Sequence, residues 1–423
     1  MKILGIETSC DETAAAVVED GKRLLSNVVF SSMDLHAVYG GVVPEIAARS
    51  HIESIIPVIE KAVADAFLEN AEREDRSEVI EDPKPLRTSH SSLHTPKFDP
   101  WDQIDGIAVT YGAGLGGSLL VGVMTARTLA IAKNKPLYAI NHVEAHIYAN
   151  FLTEVAPPLL ESKEQKARSK DEAPTAHSSL LTAQKYLLRK TQPVFPMLGL
   201  IVSGGHSQLV IWRDHFDYTL LGQTHDDAIG EAFDKVAKIL GLPYPGGPNI
   251  GAFAKHGDSF AYNFPKAKMP GKYDFSFSGI KTAVLRTAQA EIGEDHTFPS
   301  HKLSEHLSEA QKANIAASFQ RTAIETVVDK TILAYEEFTP KSIVIGGGVA
   351  SSPELRHQLS TRLSFAIGCD PIALVTDGIL LFQDYKLMTD NGAMVATLGC
   401  YQAMMQQSIA DPYTLEIAPN LSM

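Results

Sequence analysis

The sequence is poor in the features that settle a compartment or a chemistry at once. Only three cysteines occur, Cys10, Cys369 and Cys400, and they form neither a CxxC pair nor a disulfide framework, which agrees with a reducing compartment. No apolar run is long enough to cross a bilayer, since the longest, Leu119 to Ala132, is short and carries Arg127,. The N-terminus enters strand-like sequence at once, Met1-Lys2-Ile3-Leu4-Gly5, without a signal or transit pattern, so a cytoplasmic protein with no membrane partner is expected,. Positive charge is scarce too. A formal charge of -13 argues against indiscriminate nucleic-acid binding, because phosphate affinity needs local clusters of Lys and Arg,. Walker A is missing, so a bound nucleotide would need another cradle.

What remains is a chain of 423 residues, 44% hydrophobic, long for one core and suited to two domains,. Ile3 to Glu7, Ala14 to Glu19 and Leu24 to Phe30 read as strands, with a turn at Asp20-Gly21,. An amphipathic helix runs from Pro44 through Val63, and Pro57 should kink it,. Then come strand Ile104 to Thr110, the glycine-rich turn Gly112 to Gly117, a helix from Ser118 and strand Leu137 to Ile140. The same order recurs: strands Leu198 to Ser203, Gln208 to Trp212 and Tyr218 to Gly222, a helix near Ala228 to Leu240, strand Ser342 to Ile345, turn Gly346-Gly347-Gly348, a helix near Ser352 and strand Ile379 to Phe382. A period of about 200 residues is too long for a solenoid and fits two related α/β lobes. The expected division is 1–141, with an insertion at about 70–99; 142–389, with an insertion at about 153–193; and a final helix and tail, 390–423, packing back on the first lobe. Both insertions are polar surface segments, the second with a short helix from Leu180 to Leu188,.

His142 and His146, in Asn-His-Val-Glu-Ala-His, stand one helical turn apart directly after a strand, so both imidazoles share a face and can close on one divalent metal,. Asp390 opens the corresponding helix of the second lobe and is the candidate third ligand, which would place the metal between the lobes,. A metalloprotease site fails on spacing, since HExxH needs Glu directly after the first His and Glu144 lies two residues on,. Gly112-Ala-Gly-Leu-Gly-Gly117 formally matches GxGxxG, which makes a dehydrogenase a rival, but Asn141-His142 stands where a ribose-binding acid is needed,. The turns Ser203-Gly-Gly-His-Ser207, Pro245 to Gly251 and Gly346 to Ser352 can bring backbone N–H groups to a phosphate,. Asp234 can accept hydrogen bonds from a ribose or pair with Lys238,. Lys266, Lys268, Lys272, Lys281 and Arg286, interleaved with aromatics, form the best basic patch, with a solvated turn and helix as the favoured alternative,.

Together these residues resemble the TsaD family of tRNA N6-adenosine threonylcarbamoyltransferases. The carriers are Ile6-Glu-Thr-Ser-Cys-Asp-Glu-Thr13, His36 to Glu45, the His142/His146 motif, Ser203-Gly-Gly-His206, Asp226 to Lys235, Tyr244-Pro-Gly-Gly247, Asp274 to Gly279 and Thr389 to Met394, in family order and spanning nearly all but the insertions. The resemblance implies a duplicated two-lobe α/β fold of the actin/sugar-kinase/Hsp70-like (ASKHA) class with an interlobe cleft. It implies one divalent metal on His142, His146 and Asp390, iron or alternatively zinc. It implies threonylcarbamoyl-AMP held by Ile201, Val202, Ser203, Gly204, Gly205, Asp234, Gly247 and Ser352, in a cleft that ATP or AMP can also enter. The implied acyltransferase reaction moves the threonylcarbamoyl group to N6 of the adenosine 3′ of the anticodon in tRNAs reading codons that begin with A. The implied partners are tRNA, a TsaB-like paralogue and a TsaE-like ATPase. For proton transfer the candidates are Asp11 and Glu12, with a structural turn role as the alternative. A non-catalytic nucleotide-binding scaffold is the rival reading, against which the metal triad argues. The chain departs from the family pattern at Ala113, usually Pro, at Ser352, usually Asn, and in a longer stretch from Phe365 to Lys386.

Overall fold

The computed structural model describes residues 1–77, 99–156 and 186–423, and among these residues eleven strands form two sheets. The first contains β1 (Lys2–Glu7), β2 (Glu12–Glu19), β3 (Arg23–Ser31), β4 (Gly106–Gly112), β5 (Leu137–Asn141) and the short β6 (Glu154–Val155), in the order β5-β4-β1-β2-β3-β6. The second contains β7 (Met197–Val202), β8 (Ser207–Asp214), β9 (Asp217–Gln223), β10 (Ser342–Gly346) and β11 (Leu380–Phe382), in the order β11-β10-β7-β8-β9. In each sheet the first strand pairs antiparallel with the second and parallel with the fourth. Without β6, one sheet maps onto the other strand for strand. The duplication expected from the sequence is therefore the architecture of the molecule.

The central strands β7 and β10 are buried at every residue, as expected where helices cover both faces of parallel pairs,. By contrast β3 alternates buried and half-buried residues, the signature of a strand with one wet face. The helices Pro44–Ser77 and Gly116–Lys133 cover the outer face of the first sheet, and Ile229–Ile239, Glu309–Phe338 and Pro353–Ile367 share one apolar core with the second. Between the sheets lies a third core, where Ala145 and Ile147 of the helix His142–Tyr148 and Met394 and Leu398 of the helix Gly392–Met404 meet Ile3, Met197 and Val344. Full burial of a side chain such as Leu398 contributes about 1.5–3 kcal/mol,. Gly5 explains the close fit of the last helix, because a Cβ there would lie 2.3 Å from the Ala396 nitrogen.

Several local expectations shift. The helix from Pro44 runs unbroken through Pro57 to Ser77, reaching into the stretch assigned to the first insertion. Pro57 lies on the exposed side, where the carbonyl its ring leaves unpaired can bond to water. Asp390 does not open the final helix: Asn391 caps it, its Oδ1 accepting from the Met394 N–H at 3.0 Å, and the helix starts at Gly392. The proposed short helix Leu180 to Leu188 lies outside the described residues up to 185, and 186–188 are not helical. After Met404 the tail returns to the first lobe, with the Ala410 N–H donating to the Leu137 carbonyl at 2.8 Å and the Arg127 guanidinium donating to the carbonyls of Pro412, Tyr413 and Leu415.

Candidate active site between the lobes

The helix His142–Tyr148 begins where β5 ends, and Asn141 makes the junction sharp by accepting from the N–H groups of Val143 and Glu144,. Its spacing sets the His142 and His146 rings edge to face, with centroids 4.7 Å apart and planes at 74°,. Asp390 reaches both from the other half of the chain: its Oδ1 lies 3.5 Å from His142 Nε2 and 3.4 Å from His146 Nε2. The three ligand atoms all lie within 4.8 Å of one another. Those separations are long for charge-assisted hydrogen bonds, and His146 Nε2 is buried without a hydrogen-bond partner,. Two imidazoles and a carboxylate around an orphaned nitrogen fit a divalent cation with open positions, as zinc or ferrous iron accept.

Behind the cluster stands a residue that sequence reasoning missed. Glu7, fully buried at the end of β1, places Oε2 at 3.2 Å from His142 Nδ1 and accepts from the Thr110 hydroxyl at 2.6 Å and the Ser9 N–H at 2.5 Å. A carboxylate on the far nitrogen fixes the ring's tautomer, so that Nε2 faces the metal position. An acid closing the apolar run Lys2-Ile-Leu-Gly-Ile-Glu7 was the available signal, because a buried carboxylate is costly without partners,.

The charges are interdependent. Burial works against a charged His142, yet Asp390 and Glu7 outweigh it and lift its pKa to about 9. Burial would raise Glu7, but the neighbouring His142 charge and the hydrogen bonds hold it at about 2. Burial also lifts Asp390, to about 6, with His142 opposing and Glu7 and Asp11 adding. His146 is kept neutral by burial and by His142. His206, its ring centroid 6.3 Å from that of His142, is depressed to about 4 by burial and then by His142. Glu144 is buried too, with its pKa raised to about 7 by desolvation, and it belongs to no ligand group with the histidines.

Asp11 and Glu12 stand at the turn into β2, and Asp11 is near enough to raise the pKa of Asp390 and of Glu12. Desolvation, then Asp11 and Asp390, push Glu12 well above the carboxylate range, and its retained proton bridges to Asp11. The Asp11 carbonyl is held by the Ser32 N–H and hydroxyl, and the Cys10 carbonyl faces His51 Nε2 at 3.0 Å.

The expected cradle residues gather along the second lobe. Ile201 and Val202 end β7, and Ser203 follows, its Oγ accepting from the His206 N–H at 3.1 Å to close the turn around Gly204 and Gly205. Nothing lies within 4 Å of a Cβ built on Gly204, Gly205, Gly247 or Gly348, so these backbones border open space. Asp234 is not paired with Lys238 as the alternative reading had it: its Oδ1 accepts from the Gly246 N–H at 2.6 Å, anchoring the turn that carries Gly247. Burial raises its pKa, and the Gly246 bond partly offsets this. Ser352 caps the helix Pro353–Ile367, with Oγ accepting from the Leu355 N–H.

Two other motifs resolve differently. The GxGxxG turn is closed by the chain itself, because the Gly114 N–H donates to the Pro419 carbonyl and the Leu115 N–H to the Ser9 carbonyl. Those two amides are therefore not offered to a pyrophosphate. The basic patch is largely neutralised: Lys266 pairs with Asp329 and Glu325, Lys272 with Glu337 and Lys281 with Asp227, while Arg286 donates to Gln289 and the His296 carbonyl. The solvated-surface alternative describes it better than a phosphate-binding track.

Fold and site together define a two-lobe ASKHA-class protein with a His-His-carboxylate cluster between its lobes. A family model described as tRNA N6-adenosine threonylcarbamoyltransferase matches residues 23–74, 100–161 and 173–397. A protein of that name from Thermomicrobium roseum is 39% identical over 428 residues, covering 100% of this chain and 96% of its own. One from Caldicellulosiruptor saccharolyticus is 38% identical over 423 residues, covering 100% and 98%. Among solved structures, the ROK hexokinase from Thermus thermophilus aligns over 96% of this chain and all of its own at 15% identity and a TM-score of 0.38. The chain belongs to the TsaD family and is a transferase that threonylcarbamoylates N6 of adenosine in tRNA.

Proposed function

We propose that the chain binds one divalent metal, iron or zinc, at His142, His146 and Asp390, and transfers the threonylcarbamoyl group from threonylcarbamoyl-AMP to N6 of the adenosine 3′ of the anticodon, in the cytoplasm, on tRNAs reading codons that begin with A. The observation that carries the reading is the meeting of two imidazoles from the front of the chain and a carboxylate from the rear around the unpartnered His146 Nε2. When bound, the metal supplies Lewis acidity toward the carbamoyl oxygen, which a weakly nucleophilic exocyclic amine needs.

The chain's residues do the rest. The turns at Ser203–Gly205, Gly247 and Ser352, with Ile201, Val202 and Asp234, hold the adenylate in the open space beside β7. The adenosine N6 attacks the carbamoyl carbon, the new C–N bond forms, and the bond to the phosphate oxygen breaks with its electron pair leaving on AMP. Asp11 takes the amine proton. Its neighbour Glu12, already protonated, is the poorer acceptor and orients Asp11 through their shared hydrogen bond,.

Partners complete the system. On the outer face of the first lobe Ile52, Ile56, Leu120 and Met124 are exposed side by side along the two covering helices. An apolar face of this kind suits a docking partner, and we assign it to the TsaB-like paralogue, with the TsaE-like ATPase joining that complex. A net charge of -13 and a neutralised basic patch make partner help in tRNA binding reasonable,. The deciding experiment incubates the purified chain, partners, tRNA and synthetic threonylcarbamoyl-AMP and scores nucleosides by mass spectrometry. Formation of threonylcarbamoyladenosine is expected; its absence with competent partners defeats the reading.

A further inference from the structure

Asp390 is a ligand candidate that no helix carries, so something must hold it in register with the histidines. On its downstream side Asn391 does this, donating from Nδ2 to the carbonyls of Leu387 and Thr389 at 3.2 and 2.8 Å. On its upstream side the segment is gripped by one guanidinium. Arg356, on the helix Pro353–Ile367, lies between the rings of Phe382 and Tyr385, 4.6 and 4.2 Å from their centroids. From there it donates Nη2 to the Gln383 carbonyl at 3.4 Å and to the Met388 sulfur at 3.2 Å. Both rings come from the stretch Phe365 to Lys386.

The same guanidinium reaches the cradle. Its Nε donates to the Ala350 carbonyl at 3.1 Å, within the turn Gly348–Ser351 that follows β10. The two glycines that lead into that turn, Gly346 and Gly347, are wedged between both halves of the site. A Cβ on Gly347, at φ +91, would lie 2.5 Å from the Val202 carbonyl, and one on Gly346 would lie 2.9 Å from the His146 carbonyl. Arginine suits such a junction because its planar fork stacks on rings while bonding in several directions, which the lysine ammonium cannot do.

We propose that Arg356 is a positioning residue that ties the turn Gly348–Ser351 to the segment delivering Asp390, so that the adenylate cradle and the metal's carboxylate are set by one side chain. The inference rests on the metal reading given above. Its distinguishing consequence is that one substitution weakens two different ligands, a cation and a nucleotide, neither of which Arg356 touches. A role confined to stability would lower the melting temperature and leave both affinities of the folded protein unchanged.

The test uses the full chain, Co(II) as spectroscopic metal probe and AMP as nucleotide probe. Arg356→Met is expected to weaken Co(II) binding roughly tenfold, the lower end of the range for groups standing behind metal ligands. It is expected to weaken AMP severalfold and to shift the Co(II) ligand-field bands. Arg356→Lys falls between wild type and Arg356→Met, and Tyr385→Ala, which removes one ring and leaves the hydrogen bonds, changes both affinities less than threefold but in the same direction. Wild-type binding of both probes by folded Arg356→Met overturns the inference alone. Should that variant not fold, Arg356→Lys decides: two weakened affinities support the tie, and wild-type values for both overturn it. A wild-type chain that takes up no Co(II) overturns the metal reading and this inference with it.

Discussion

The two lobes carry glycine-rich turns at matching points, after β4 and after β10, and use them in opposite ways. In the first lobe the turn is sealed: the Gly114 and Leu115 amides bond to Pro419 and Ser9, and a Cβ on Gly112 would lie 2.1 Å from the Ala418 carbonyl. In the second lobe Gly348 faces open space, as do Gly204 and Gly205 at the neighbouring strand end. The turns after β1 and β7 differ likewise, since Thr8 is fully buried with its hydroxyl donating to the Ser118 carbonyl, whereas Gly204 and Gly205 are not buried. One fold, used twice, has thus become a closed lobe that presents histidines and acids and an open lobe that can cradle a nucleotide. The C-terminal tail does part of the closing, through the carbonyls of Ala418 and Pro419.

The strongest way to break this division is at the cluster. Asp390→Ala removes the ligand candidate that the rear of the chain contributes, and transfer should fall about 10²–10³-fold, with Co(II) uptake lost and the circular dichroism spectrum kept. Near-normal transfer by a folded Asp390→Ala protein would show that the carboxylate has no part in the chemistry.

A paired substitution sharpens the contrast between the turns. Gly114→Ala places a Cβ 2.6 Å from the Ser9 carbonyl at φ +154, and should destabilise by about 1–3 kcal/mol. The Cβ of Gly204→Leu meets nothing within 4 Å, so stability should stay within about 0.5 kcal/mol. Its KM for the adenylate should nevertheless rise at least tenfold, because the side chain fills the proposed cradle. Urea midpoints and steady-state kinetics on both variants separate the two, and a Gly204→Leu enzyme with unchanged KM removes that turn from the substrate site.

Acid–base behaviour should centre on the cluster, with the raised carboxyls of Glu144 and Glu12 adding to any decline as pH rises,. The folded pKa of His142, about 9 against an ordinary 6.5, means that in metal-free protein its contribution is complete below pH 6.5 and disappears as pH rises through 9. The loss is about 3 kcal/mol at most. A bound cation replaces that proton, so the metal-loaded protein should not decline over the same window. Urea titrations between pH 6 and 9.5, with chelator and with metal, read the difference directly. His142→Asn should reduce the decline, most clearly between pH 7 and 9, and Asp234→Asn should retain it; a flat curve for metal-free wild type contradicts the assigned charge.

How far this division could be read in advance differs by element. All strands but β6 were legible because apolar runs of strand length end at turn residues, and the repeat of that order exposed the duplication; the short β6 lies in the stretch assigned to the second insertion,. The histidine pair was legible because four residues make a helical turn, and Asp390 because of the internal symmetry. Glu7, Arg356 and the tail's seal over Gly112–Gly117 were not. Each depends on contacts across more than a hundred residues or on a stack of rings brought together only by packing, for which spacing carries no signal. Pro57 misled for a related reason, since its effect depends on which side of the helix meets water.

The smallest expected effect concerns a helix cap in the open lobe. Ser352 caps its helix by accepting from the Leu355 N–H at a long 3.4 Å, and asparagine is at least as good in that role. Ser352→Asn should therefore leave stability within about 0.5 kcal/mol. The longer amide also carries a second polar group toward the cradle, and one added hydrogen bond of about 1 kcal/mol corresponds to an adenylate KM roughly fivefold lower. Transfer kinetics at varied threonylcarbamoyl-AMP test this against wild type. A lower KM with unchanged kcat makes the position a binding contact that serine shortens, whereas identical kinetics mean that the open lobe holds its nucleotide by backbone alone at this turn.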